Sequence, residues 1–313
     1  PRAIFASQLN PLGDKSPSYT RGILMVMVTL SLWGVLPIFL KVALNQFSAG
    51  TIAWFRFLFS FIILLAFLSV FRSGGREILK RPPLLGVFGG VALAGNYYGM
   101  TQGVHFSGPS NAAIIIQVAP ILLVVAGIVI FRESVSRRQI IGMAVAAAGF
   151  FLFYLDRAGD ATDPSLYALA NGWVLSAAVV WALYMIFQKR LSTRFEAQSL
   201  NLLVYGAAAV ALVPLVEWNE FGKSDAAGWI VLIFLGMNTL LAYGALAEAV
   251  ERVPLSLISI LITLNPLITL AGMWVLNTFW VESLPAENIG WTGYLGGAVA
   301  VGGVTLVVSS QKS

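Results

Sequence analysis

Long apolar runs separated by short polar joints repeat along this chain from residue 22 almost to its end. A helix needs ~20 apolar residues to cross the hydrocarbon core of a bilayer, because each residue advances about 1.5 Å. Runs of that length fall at Gly22–Leu44, Thr51–Phe71, Leu84–Val104, Pro109–Phe131 and Gln139–Leu155. A second set falls at Leu166–Gln188, Ser199–Val216, Gly228–Ala249, Leu255–Leu276 and Ile289–Val308. The pattern predicts an all-α integral membrane protein of ten transmembrane helices. None of the joints is long enough to hold a folded domain.

Composition agrees. Hydrophobic residues make up 58% of the chain and charged ones 11%, against roughly 25% charged in a soluble domain. Lipid has to be the solvent for most of the surface. The residues before Arg21 are too weakly apolar for a signal peptide and read as a tail, residues 1–21, that frays in the cytoplasm. There is no cysteine, which excludes disulfides and thiolate metal sites.

The net charge of +5 is a topology signal rather than a nucleic-acid patch. With the N-terminus placed inside, fifteen of the nineteen Lys and Arg residues flank the cytoplasmic ends of spans. Only Arg157 and Lys223 fall outside, while Lys41 and Arg56 lie within helices. Cytoplasmic flanks carry such an excess because Lys and Arg are hard to translocate. Both termini are therefore expected in the cytoplasm.

An internal repeat organises the spans. Trp33, Ile38, Phe39, Lys41, Phe47 and Ala49 match Trp181, Ile186, Phe187, Lys189, Phe195 and Ala197 at one offset of 148 residues. Near the same offset come Tyr98-Gly99 with Tyr243-Gly244, Pro109 with Pro254, Pro120 with Pro266 and, more loosely, Glu133 with Glu282. Five spans per half is an odd number, so the second half must enter the membrane from the opposite side. The halves read as residues 22–157 and 158–313. Inverted repeats recur in secondary transporters, with the substrate site near the midplane between them.

These residues carry a family resemblance. Trp33-Gly34 with Phe39 and Lys41, the run Trp54-Phe55-Arg56-Phe57-Leu58, Pro120, Arg132-Glu133, Gln139, Gly142 and Gly149 resemble the EamA family of the drug/metabolite transporter superfamily. The second half, with Pro254, Asn265-Pro266, Glu282 and a glycine-rich last span, looks like a degenerate copy. Within the family the overall pattern is most similar to aromatic amino acid exporters of the YddG type. The resemblance implies two inverted five-helix repeats around a central cavity, lined by helices one to four and six to nine and closed on one side by helices five and ten.

Candidate site residues come from polar and aromatic positions at helical spacing, which inside a bundle mark a water-filled path. Tyr98, Thr101, Gln102 and His105 share a stripe on the third span; Trp181, Tyr184 and Gln188 share one on the sixth; Ser256, Ser259 and Thr263 share one on the ninth. Helix packing is the competing reading for each Ser and Thr. Trp33 lies too deep in the first span to be an interfacial anchor. The repeat favours Trp33 with Trp181 and Tyr98 with Tyr243. Pro120 and Pro266 sit near the centres of their spans and should kink them, freeing carbonyls for substrate or for flexing. Gly95, Gly99 and Gly103, and Gly293 and Gly297, read as close-packing stripes.

Few ionisable groups lie inside. Arg56, about two turns from the outer surface, is expected to attract a substrate carboxylate or to cage carbonyls, and Lys41 to snorkel to the interface. His105, the one histidine, reads as a proton-responsive gate or an interface residue. With Ser107 it makes no hydrolase, since no orienting acid or nucleophile elbow accompanies it. No Asp or Glu falls near a midplane, which favours a facilitator over a proton-coupled pump. No phosphate loop or metal cluster appears, so neither a cofactor nor a metal is expected.

The sequence thus reads as a bacterial inner-membrane secondary transporter that exports small amphipathic metabolites, aromatic or apolar amino acids first, by alternating access. Carriers of sugar phosphates, nucleotide sugars or lipid-linked substrates are the nearest alternative, and would need more deep basic residues. A channel or a membrane-embedded enzyme is the alternative from another class. The expected partners are a small-molecule substrate and the lipid bilayer, with no nucleic acid and no obligatory protein partner; a monomer suffices.

Overall fold

The computed structural model describes residues 17–71, 77–131, 136–159, 163–191, 194–250, 252–253, 258, 261–279, 287 and 289–309. The described residues are helical apart from short connections. In chain order the helices are α1 (Pro17–Ala43), α2 (Ala49–Phe71), α3 (Leu84–Ser107), α4 (Pro109–Ile115), α5 (Val118–Phe131), α6 (Arg137–Gly159), α7 (Pro164–Leu191), α8 (Ala197–Leu212), α9 (Ala226–Val250), α10 (Asn265–Phe279) and α11 (Trp291–Ser309). Residues 1–16 and Arg132, Glu133, Pro254, Ser256, Ser259 and Glu282 lie outside the described residues; the expected tail, 1–21, is corrected at its end, because α1 already starts at Pro17, a proline suited to a first helical turn.

Among the described residues seven helices, α1, α2, α6, α7, α8 with the turn that follows it, α9 and α11, are long and apolar enough to cross a membrane. α3 has the length, at 24 residues, but Asn96, Tyr97, Tyr98, Thr101 and Gln102 dilute its apolar content. That dilution has a structural cause: α3 packs against α7, α8, α2 and α1, and keeps a narrow exposed face at Leu84, Phe88 and Val91. The large apolar side chains that stay exposed, among them Ile62, Phe67, Phe88, Phe151, Val179, Val210 and Ile230, form the surface that hydrocarbon would cover.

Two helices expected to kink at proline are instead broken before it. The run Pro109–Phe131 is corrected from one helix to two: α4 stops at Ile115, Ile116 and Gln117 turn, and α5 restarts with Pro120 in its first turn. Proline offers no N–H and its ring crowds the carbonyl four residues earlier, here that of Ile116. That carbonyl accepts from Ala119 N at 2.9 Å in a tighter turn. Thr263 and Leu264 make the equivalent turn ahead of α10, where Pro266 is the second residue and Leu264 O accepts from Leu267 N at 3.0 Å.

The closest packings join helices from before residue 160 to helices after it: α6 with α11, α3 with α7 and α1 with α9. Backbones meet at glycine. A side chain on Gly149 would put its Cβ 2.6 Å from Ala300 Cα, and one on Gly99 would meet Trp173 O at 2.9 Å. On α11 the expected glycine stripe holds in part: Gly293 meets Asp156 of α6 and Gly296 and Gly303 extend that contact, while Gly297 turns toward Ile114 and Leu270.

Polar contacts gather at one end of the bundle. Gln46 Nε2 donates to Asp225 Oδ1 at 2.8 Å and Asp225 N returns a bond to Gln46 Oε1 at 3.1 Å. Glu220 accepts from Ser48 N at 2.9 Å, and Asp156 accepts from Gly290 N at 3.0 Å. Each acid satisfies N–H groups where a helix begins, which no intrahelical carbonyl can reach. At the opposite end Arg21 and Arg252 both pair with Glu248.

Candidate functional site

The core between α1, α2, α3, α7, α8 and α9 is an aromatic cluster built around one charge. Arg56, in the third turn of α2, is 2% exposed. Its Nε donates to Thr239 Oγ1 of α9 at 3.0 Å, and its guanidinium lies 4.2 Å above the Tyr97 ring of α3. The next residue, Phe57, tilts onto Tyr97 at 4.3 Å and Tyr205 of α8 at 6.1 Å between ring centroids. Tyr243 of α9 meets Trp33 of α1 edge-on at 5.5 Å and Tyr205 at 6.3 Å. Tyr243 and Tyr97 are buried in the same cluster. Tyr184 of α7 is buried in the same cluster, with Trp181 one turn away packed against it.

A guanidinium so placed is costly. Insertion scales put a mid-helix Arg at ~2.5–3.5 kcal/mol, and an aromatic face returns only ~0.5–2 kcal/mol. The usual remedy is a carboxylate, and among the described residues Arg56 has none within ion-pair distance. Its neighbours are a threonine hydroxyl and phenols. The cluster therefore joins a positive charge, several neutral hydroxyls and aromatic rings.

The structure brings together Trp33, Arg56, Trp181, Tyr184 and Tyr243 from the sequence-derived set. Tyr98 packs against the edge of the same cluster. It meets Trp173 of α7 edge-on at 5.6 Å and accepts a hydrogen bond from Gln102 Nε2 at 2.8 Å. Gln102 and His105 line a separate recess of about 460 Å³ at the Gln46 end, with Asn45, Gln46, Ser48 and Glu220. His105 is exposed there, and its carbonyl accepts from Lys41 Nζ at 2.9 Å, so Lys41 does reach toward the end of its helix. Thr263 is 2% exposed and takes part in packing: its carbonyl accepts from Gln117 Nε2 at 2.9 Å and its hydroxyl meets Thr305 Oγ1 at 3.0 Å. Ser259 lies outside the described residues. Pro120 and Pro266 open helices rather than bending them.

Three important residues were absent from the sequence set. Tyr97, not Tyr98, is the tyrosine at Arg56; because α3 is buried on several sides, a single stripe misses its second polar face. Tyr205 stands at the repeat offset of 148 from Phe57, the residue it touches. Glu287 is the third. It sits in the connection before α11, is only 8% exposed, and accepts from Ser110 N with both oxygens at 3.2 and 3.3 Å. Gly108, at φ 87°, turns the chain between α3 and α4, and any side chain there would collide with that carboxylate. Burial pushes the Glu287 carboxyl above its ordinary value, partly offset by Ser110, Arg157 and Lys41.

The model of the EamA-like transporter family matches twice, over residues 20–155 and 168–309. A transporter of Haemophilus influenzae is 28% identical over 293 residues, covering 93% of this chain and 95% of its own. The inner membrane transporter YhbE of Escherichia coli is 31% identical over 286 residues, covering 90% and 89%. An S-adenosylmethionine uptake transporter of Rickettsia prowazekii is 24% identical, covering 72% and 73%. A crystal structure with a TM-score of 0.62 and 15% identity covers 92% of this chain and 97% of its own; at that identity the likeness is one of fold.

Proposed function

The chain belongs to the EamA-like transporter family, and from that premise we propose that it exports small amphipathic metabolites which join a carboxylate to an aromatic or apolar body. Aromatic and apolar amino acids and their deaminated analogues both meet that description. The observation that carries the proposal is Arg56, buried to 2% exposure in an aromatic cluster with no acid among the described residues to neutralise it. An anionic substrate group would complete the site. Relatives named as transporters, one of them an inner membrane transporter, support a bacterial inner-membrane carrier over an enzyme.

Ten spans in two inverted halves, 22–157 and 158–313, with both termini cytoplasmic, are the topology we propose. Support comes from residues that correspond between halves and touch. Gln117 meets Thr263 at the offset of 146 that also relates Pro120 to Pro266. Corresponding residues meet only along an axis that relates the halves. The two broken helices supply joints on which one half can flex against the other, exposing the Arg56 cluster to each side in turn. Phosphorylated or nucleotide substrates carry two or more negative charges, and the cluster holds a single cation.

Purified protein in proteoliposomes tests the proposal with a substrate panel. Saturable uptake of aromatic amino acids or aromatic carboxylates, stimulated by unlabelled substrate on the other side, is expected. Uptake confined to phosphorylated substrates would refute it, and unsaturable flux would point to a channel.

A further inference from the structure

The charge balance at Arg56 selects among the substrates named above. We infer that the preferred cargo is a small apolar monocarboxylate in its ionised form, rather than the zwitterionic amino acid with the same side chain. This rests on the reading that Arg56 is the substrate anchor.

The groups described around the guanidinium are neutral: Thr239 Oγ1 at 3.0 Å, the Tyr97 face at 4.2 Å, and the phenols of Tyr184, Tyr205 and Tyr243, which lie within electrostatic range of one another and of Tyr97. Among the described residues the acids sit at helix ends or in connections. Glu248, the acid furthest inside a described helix, is already paired with Arg21 and Arg252. Glu220 serves Ser48, and Glu287 serves Ser110. The side chains of the site therefore sum to a formal charge of +1.

Three ligand classes change that sum differently. A monoanion brings it to zero, and its two oxygens match the forked donors of a guanidinium. A zwitterion leaves the site at +1 and places an ammonium near Arg56 without a carboxylate to receive it. Burying a charge without a partner is the most unfavourable polar event in a protein interior. The faces of Trp33 and Trp181 would return part of that cost by cation–π attraction, but the guanidinium repels the ammonium at the same time. A dianion overshoots to −1, and the next cation in the sequence, Lys41, is committed to the His105 carbonyl at the helix end.

A matched trio tests this on the purified full-length protein: hydrocinnamate, phenylalanine and phenethylamine, which share one phenyl body and differ only in charge. Binding is read by quenching of tryptophan fluorescence and by competition for counterflow in proteoliposomes. Hydrocinnamate is expected to bind about ten-fold or more tighter than phenylalanine, the equivalent of one unpaired charge at the low end of its cost, and phenethylamine not to compete. In Arg56→Gln the ratio of hydrocinnamate to phenylalanine affinity should collapse toward one. Should Arg56→Gln fail to fold, Arg56→Lys, which keeps the charge and loses the fork, should preserve the order of preference with weaker binding. Phenylalanine equal to or tighter than hydrocinnamate in the native protein overturns the inference while leaving Arg56 as anchor. An unchanged ratio in Arg56→Gln overturns it as well. Failure of all aromatic ligands, acid and zwitterion alike, would instead overturn the wider functional proposal along with it.

Discussion

Gln117 reaches across to Thr263, its side-chain amide donating to the Thr263 carbonyl at 2.9 Å over a separation of 146 residues. Each residue lies in the two-residue turn that breaks its helix ahead of a proline. Both are buried, at 6% and 2% exposure, so the bond ties two discontinuous helices at their joints. Gln117→Leu should remove a buried bond worth about 1 kcal/mol. We expect a fall of a few degrees in the thermal midpoint of the purified protein, and a transport rate that changes more than substrate affinity does. A variant with native midpoint and native turnover would show that the joints work without the tie.

The contact of α6 with α11 predicts a graded response to small substitutions. A Cβ on Gly149 would lie 2.6 Å from Ala300 Cα, which cannot rotate away. Gly149→Ala should destabilise by about 1–3 kcal/mol through forced separation of the two backbones. A Cβ on Gly302, also on α11, would meet nothing within 4 Å, and Gly302→Ala should be neutral or slightly stabilising because alanine favours helix. Equal thermal midpoints for the two variants would contradict this packing.

Glu287 predicts a pH dependence of stability. Its ordinary value is 4.5, and burial raises the folded one. Between those two values the folded protein binds more protons than the unfolded chain. Stability from this group is therefore complete below the ordinary value and declines as pH rises through the folded one. Glu287→Gln should flatten that part of the profile of thermal midpoint against pH. An unaltered slope in the variant would assign it to other groups.

Much of the architecture was legible in the apolar runs, whose length reports the thickness of a bilayer irrespective of tertiary detail. The helix breaks were half legible. Pro120 and Pro266 mark them, but proline fixes only its own φ and excludes one bond, and whether a helix bends or restarts depends on what the freed groups find. The Ile116 carbonyl found a tighter turn. Arg56 could be singled out because a charge inside an apolar run has few explanations. Tyr97 could not, since a one-face pattern assumes a single protein-facing stripe and α3 is packed against α7, α8, α2 and α1. Glu287 lay in a polar connection that reads as solvated, and its burial depends on α4 and Gly108, about 180 residues earlier in the chain.

The most direct measurement is counterflow of a labelled aromatic carboxylate in proteoliposomes holding the native protein or Arg56→Gln, matched for folded protein by thermal midpoint. Losing a charge-assisted fork to a carboxylate costs about 2–3 kcal/mol, so kcat/KM should fall by about 30- to 150-fold. A decline of that order, with saturable exchange in the native protein, is the predicted result. Exchange in Arg56→Gln equal to that of the native protein would contradict it, because it would remove Arg56 from the substrate site.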